Sequence, residues 1–264
     1  MLNYYLPWRQ RGLLRQLVSR EIQQRFRGSW LGLGWAVLTP LAMLAVYTFV
    51  FRMVLKARWP GAPDSNVEFA LQIFSGLLVF GLFSEVIGRA AILIVEQPNL
   101  VKKVIFPLEV LSWVSTLSSL FFAGVSFLVL IGGLLVMRDG VTIHLLSVPI
   151  ILIVFVPMLL GLSWLLAALG VYLRDISHVV GLILTPMLFL SPIFYPVSAM
   201  PIVAQQMMII NPLTLIISSL RQATLGGHWP DFTALGWYFV VSLAVAWCGA
   251  WCFEKTRRGF ADVI

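Results

Sequence analysis

Six apolar runs, each close to membrane-spanning length, constrain this chain more than any other feature. They cover about Trp35 to Leu55, Phe69 to Ile87, Val110 to Met137, Leu145 to Tyr172, Val179 to Pro196 and Phe232 to Phe253. A helix rises ~1.5 Å per residue, so about 20 apolar residues cross the ~30 Å hydrocarbon layer of a bilayer. Composition points the same way: 60% of the 264 residues are hydrophobic and 11% are charged, against roughly 45–50% and 25% in a soluble domain. So few charges cannot coat a water-exposed surface around so much apolar volume. Membrane-barrel strands would show short alternating segments, and these runs do not alternate. The sequence predicts an all-α integral membrane protein with six transmembrane helices in a single domain over residues 1–264.

Basic residues set the orientation. Sorting them across six spans places Arg9, Arg11, Arg15, Arg20, Arg25, Arg27, Arg89, Lys102, Lys103, Arg174, Lys255, Arg257 and Arg258 on one side, 13 of the 18. Arg52, Lys56, Arg58, Arg138 and Arg221 fall on the other. The positive-inside rule then puts both termini in the cytoplasm, in a cytoplasmic (inner) membrane. The net charge of +7 belongs to residues flanking spans, without base-stacking aromatics, so anionic lipid headgroups and not nucleic acid are the expected counter-charge. No apolar run precedes Trp35, and the basic amino terminus is expected to stay in place. Cys248 and Cys252 lie one helical turn apart in the last run, where a bridge is geometrically disfavoured.

Before the first run, LLRQLVSREIQQRF (residues 13–26) spaces Leu13, Leu14, Leu17, Val18, Ile22 and Phe26 mostly by three or four. This predicts an amphipathic helix within residues 1–30, lying in the membrane interface. The chain must then turn at Gly28 and Ser29 to enter the first span, with Trp30 and Trp35 at headgroup depth. Gly28 and Gly32, four apart, are expected to admit a close backbone neighbour. The Gly-x-Gly of RFRGSWLGLGWAVLTP is no dinucleotide fingerprint, because no strand precedes it.

Residues 96–107, EQPNLVKKVIFP, combine a turn signal with apolar Leu100, Val101, Val104, Ile105 and Phe106. That is too much apolar surface for a solvated loop, and docking on this chain or on another is expected. Glu85 and Arg89 stand four apart in the orientation that favours a helical ion pair, and a gate or substrate contact is the functional alternative. Asp175 is placed to cap the fifth helix, with His178 one turn in. His144 and His228 fall on the opposite side, so no metal-ligand spacing assembles. Pro192, Pro196 and Pro201 interrupt the chain after the fifth run. Residues 197–230 are apolar but broken by Asn211, Pro212, Gly226 and Gly227, which fits two short re-entrant helices at the outer face better than full spans. No phosphate loop of an ATPase is present.

Taken in order, the basic helix leading into RFRGSWLGLGWAVLTPL, then NLVKKVIFPLE, YLRDI, SPIFYP and NPLTLIISSLRQ, resemble the membrane subunit of type 2 ABC exporters for lipid-linked polysaccharides. The resemblance covers nearly the whole chain. It implies a homodimeric channel working with two copies of a separate ATPase that holds ATP and Mg, with no cofactor in this chain. Residues 96–107 then look like the coupling helix, with Gln97, Pro98, Asn99, Leu100, Val101, Lys102, Lys103 and Phe106 facing the ATPase. Residues 197–230 look like outer-face gate helices, and the glycan would be anchored on an undecaprenyl diphosphate carrier. A sliding sugar chain favours aromatic walls over charged ones, which makes Trp35, Tyr47, Phe194 and Tyr195 candidate channel-lining residues. Arg25 and Arg27 are candidates for the carrier diphosphate, although positive-inside topology explains them equally. A type 2 permease for a small lipid or drug, and a multi-span membrane enzyme acting on lipid carriers, remain open alternatives.

Overall fold

A computed structural model describes residues 7, 10–54, 56, 59, 65–102, 106–137 and 142–264. Among them every regular element is helical: α1 (Arg11–Arg25), α2 (Trp35–Thr48), α3 (Asn66–Ala90), α4 (Pro98–Val101), α5 (Val110–Met137), α6 (Val148–Tyr172), α7 (Ile176–Leu190), α8 (Ile202–Met208), α9 (Thr214–Arg221), α10 (Phe232–Thr256) and α11 (Phe260–Val263). Five helical stretches are long and apolar enough to cross a membrane: Gly32–Val54, Asn66–Ala90, Val110–Leu135, Ile143–Tyr172 and Phe232–Val263. The first includes α2 with a tight turn before it and a wide π-helical turn, Phe49–Val54, after it.

The remaining apolar run is shorter and shifted. Helix α7 has 15 residues and stops at Leu190, not at Pro196. Ser191 is extended, with ψ of 150°, because the ring of the following Pro192 excludes helical backbone from the residue before it. Asp175 occupies the N-cap position of α7, but its side chain makes no capping hydrogen bond, contrary to expectation. The working caps are Ser65, whose hydroxyl accepts from Val67 N, and Asp231, whose carboxylate accepts from Thr233 N and Ala234 N at 2.9 and 3.1 Å.

Helices α6 and α10 form the most extensive helix pair. Gly161 and Gly249 make it possible. A Cβ added at Gly161 would lie 2.6 Å from Ala246 N and from the Val245 carbonyl, and one at Gly249 would fall onto the Gly161 carbonyl. Gly170 is closed in the same way by the Ala91 carbonyl. Lipid gives no hydrophobic reward for helix association, so small residues that let backbones approach and maximise dispersion contacts are the expected device. Trp164, fully buried beside this crossing, donates from Nε1 to Glu109 O at 3.1 Å. Arg257 pairs with Glu109 Oε2 at 3.0 Å, and the Tyr172 hydroxyl donates to Thr256 O at 2.8 Å. These contacts tie the start of α5 and the ends of α6 and α10 together at one end of the bundle, called here the basic end.

Helix α1 packs along the basic-end half of α5, half-burying Leu13, Leu14, Leu17, Val18, Glu21, Ile22 and Phe26. The amphipathic stripe is as the spacing predicts. Gly28 and Gly32 have φ of +81° and +50°, and nothing lies within 4 Å of a Cβ at either. They serve the left-handed turns that lead from α1 into α2, which glycine adopts at least cost, and they admit no close neighbour within this chain. Cys248 and Cys252 are unbridged.

The Gly161→Leu variant should lose stability by ~1–3 kcal/mol or more through overpacking, seen as a lower thermal midpoint in detergent. Gly236→Ala, in the same α10 but with open space around its Cβ, should hold or gain slightly.

Candidate functional site

Two adjoining cavities occupy the space between α1, α2, α3 and α5. One, of about 350 Å³, is mainly apolar and lined by Trp35, Pro40, Tyr47, Phe80 and Phe122 among others, with Arg25 and Glu85 at its mouth. The other, of about 410 Å³, is polar and lined by Glu21, Gln24, Arg25, Glu85, Arg89, Ser118 and Phe122. Arg25, Glu85 and Phe122 belong to both, so they form the partition between them. The Arg25 guanidinium sits over the Phe122 ring at 4.3 Å and forms an ion pair with Glu85.

The expected helical pair of Glu85 with Arg89 does not form. Arg89 Nη1 lies 2.5 Å from Glu21 Oε1, which also accepts from Ser118 Oγ at 3.1 Å, while Glu85 takes Arg25. Helices α1 and α3 each carry Glu and Arg four residues apart, and the acids and bases exchange partners across the helix contact. An interhelical pair in partly buried surroundings is less hydrated than one on an exposed helix face, and each bond is charge-assisted. Helix α1 is thereby fastened to α3 by two ion pairs and to α5 by Phe26, edge-on to Phe122 at 5.6 Å between ring centroids.

Of the aromatic candidates, Trp35 and Tyr47 line the apolar cavity. Phe194 is buried, stacked on Phe51 at 4.3 Å and 5.1 Å from the Tyr47 ring, so within one chain it forms no open wall. The Tyr195 hydroxyl donates to Phe189 O, closing the bend that follows α7. Arg27 is exposed beyond the end of α1.

At the other end of the bundle lie two short helices, α8 of 7 residues and α9 of 8. Asn211 donates to Ser191 Oγ at 3.0 Å and accepts from Leu213 N at 2.9 Å, and the Tyr238 hydroxyl donates to Pro212 O at 2.9 Å. Arg221 completes the attachment. Its Nε donates to Gln72 O and Ser75 Oγ, its Nη1 to Pro192 O at 2.5 Å, and its Nη2 to Gln72 O at 2.9 Å and Ile193 O at 2.6 Å. The guanidinium also covers the Trp59 ring at 4.5 Å. Gly76 makes room for it, since a Cβ there would stand 2.9 Å from Nη2. The sequence places Arg221 only on the side opposite the termini; the fold makes it a clamp on backbone carbonyls joining α3, the bend after α7 and α9. Only a residue with donors arranged as a planar fork meets three carbonyls so placed.

In residues 96–107, Pro98 starts the single turn α4. Leu100, Val101 and Phe106 join the apolar cluster of Leu93, Ile94, Leu108 and Trp164, so these three dock on the chain itself. Glu96, Gln97, Pro98, Asn99 and Lys102 form its exposed edge. Lys103, Val104 and Ile105 lie outside the described residues.

Residues 12–225 match the ABC-2 type transporter family, and the chain belongs to that family. The O-antigen export system permease protein RfbA of Myxococcus xanthus is 30% identical over 258 residues, covering 96% of both chains. A Klebsiella pneumoniae protein of the same name is 24% identical over 96% of this chain and 95% of its own. The polysialic acid transport protein KpsM of Escherichia coli is 22% identical over 94% of this chain and 95% of its own. The chain is thus the membrane-embedded permease component of an ABC transporter and not itself an enzyme.

Two outcomes follow from this geometry. In a double-mutant cycle, Arg25→Glu and Glu85→Arg should each lower the thermal midpoint, and the double variant should recover most of the loss, with a coupling of about 1 kcal/mol or more. Replacing Arg221 by Met should cost at least ~1–3 kcal/mol, the penalty for one stranded buried acceptor, and Arg221→Lys should not restore it, as a detergent melting series would show.

Proposed function

We propose that two copies of this chain form the channel through which an undecaprenyl diphosphate-linked polysaccharide of the O-antigen class leaves the cytoplasm, driven by two copies of a separate ATPase. The similarity to O-antigen export permeases along the whole chain is the observation that carries this reading. Both termini and the basic end face the cytoplasm, six helices including α7 cross the inner membrane, and the short helices α8 and α9 lie at the outer face as the gate. ATP and Mg belong to the partner ATPase.

The geometry suits such a substrate. A lipid diphosphate arriving at the polar cavity competes with Glu85 for Arg25, because a phosphate accepts a guanidinium's paired donors as well as a carboxylate does. Losing that pair opens the partition at Phe122 toward the apolar cavity beside Trp35 and Tyr47. Arg27 adds positive potential at the mouth. Apolar and aromatic surface lets sugar faces slide without strong directional bonds.

Energy enters through residues 96–107. The exposed edge of Gln97, Pro98, Asn99 and Lys102 meets the ATPase, while Leu100, Val101 and Phe106 anchor the segment to Trp164 and the α6–α10 pair. A push on a turn seated this way is delivered to packed helices and not absorbed by a loose loop, which is how a bistable bundle is biased from a distance.

Co-purification with ATPase subunits encoded nearby tests this. Wild type should retain the ATPase in a two-plus-two complex, whereas Lys102→Glu combined with Asn99→Arg should weaken retention at least about tenfold, equivalent to ~1.4 kcal/mol, with unchanged melting. Arg25→Gln should keep the complex but reduce surface glycan. A wild-type chain that holds no ATPase, or surface glycan that is independent of it, would sink the reading.

A further inference from the structure

A second, larger groove lies apart from the two cavities, between α1 and the basic-end part of α5, with a volume of about 980 Å³. This is at the upper limit of ordinary ligand pockets, ~300–1,000 Å³. One wall is Leu14, Val18 and Ile22 of α1; the other is Leu117, Leu120 and Phe121 of α5, with Trp113 toward the start of that helix. Arg11 and Arg15 also line it. They stand one helical turn apart and therefore project from the same face. Among the described residues, Glu21 is committed to Arg89 and Glu85 to Arg25, and neither Arg11 nor Arg15 has an acidic partner.

We propose that this groove binds one anionic glycerophospholipid of the leaflet at the basic end, with acyl chains between α1 and α5 and the phosphate on Arg11 and Arg15. The groove runs along a membrane-spanning helix, and Phe121 on its wall is exposed, so its open side faces acyl chains rather than water. Its polar lining is Arg11, Arg15, Ser19 and Gln23, donors and hydroxyls with no carboxylate. That set complements an anion, and it holds no carboxylate to pair with a quaternary ammonium, so an anionic lipid gains the two arginine contacts without the repulsion that a choline headgroup meets there. Arginines near an anionic surface each contribute enough to raise affinity by roughly fivefold. The bound lipid fills the space under α1, holding the helix that carries Glu21 and Arg25 to the partition. The site does not depend on what the channel carries.

Native mass spectrometry of the full chain released from micelles containing dioleoyl phosphatidylglycerol or dioleoyl phosphatidylcholine tests it. Wild type should retain one phosphatidylglycerol per chain in preference to phosphatidylcholine. The Arg11→Gln/Arg15→Gln variant should lose that preference by roughly tenfold to thirtyfold, and Val18→Trp, which fills the groove and keeps both arginines, should lose retention altogether. Arg20→Gln, which does not line the groove, should behave as wild type. Equal retention of the two lipids by wild type would overturn the proposal. So would an unchanged preference in the Arg11/Arg15 variant, or an equal loss in Arg20→Gln, which would mark diffuse surface charge. Displacement of phosphatidylglycerol by one equivalent of a polyprenyl diphosphate would assign the groove to the carrier instead.

Discussion

At Gly161 and Gly249 the backbones of α6 and α10 come so close that a methyl group on either would occupy the other helix. The contacts among α5, α6 and α10 at the basic end follow from this approach. With these two helices fixed, Trp164 reaches the carbonyl of Glu109, the Glu109 carboxylate reaches Arg257, and Tyr172 reaches Thr256. Val101 and Phe106 gain a firm apolar seat beside Trp164. Within a bilayer, water neither drives helices together nor rescues stranded polar groups. Contact area and internally satisfied hydrogen bonds must therefore hold the bundle, and glycine at a crossing supplies the former.

The two ends of the bundle handle charge in opposite ways. At the basic end, acids and bases of α1 and α3 neutralise one another in surroundings open enough for a competing anion to enter. At the opposite end, Arg221 pairs with no carboxylate among the described residues and is held by carbonyls that the bend after α7 leaves free. The first arrangement is exchangeable, since one anion can replace another on a guanidinium. The second is not, because releasing Arg221 would strand several acceptors at once.

The apolar lengths, the amphipathic stripe of α1, the turn at Gly28 and the break after α7 were all determined by the sequence itself. Each depends on residues close together in the chain: helix length on apolar count, the stripe on spacing by three and four, the stop at Leu190 on Pro192. The tertiary structure alone decided partners. Glu85–Arg89 looks like a local pair by spacing, yet the helices meet so that Glu85 takes Arg25 of α1 and Arg89 takes Glu21. Arg221 reads only as one of the charges opposite the termini until α3, α9 and the Pro192 bend converge around it. Phe194 reads as a channel wall and Leu100, Val101 and Phe106 as docking residues with their partner left open, and the fold buries or half-buries all four against the chain's own core. Which helix faces which is a property of the packed bundle, set by where glycines permit close approach, and no short-range pattern encodes it.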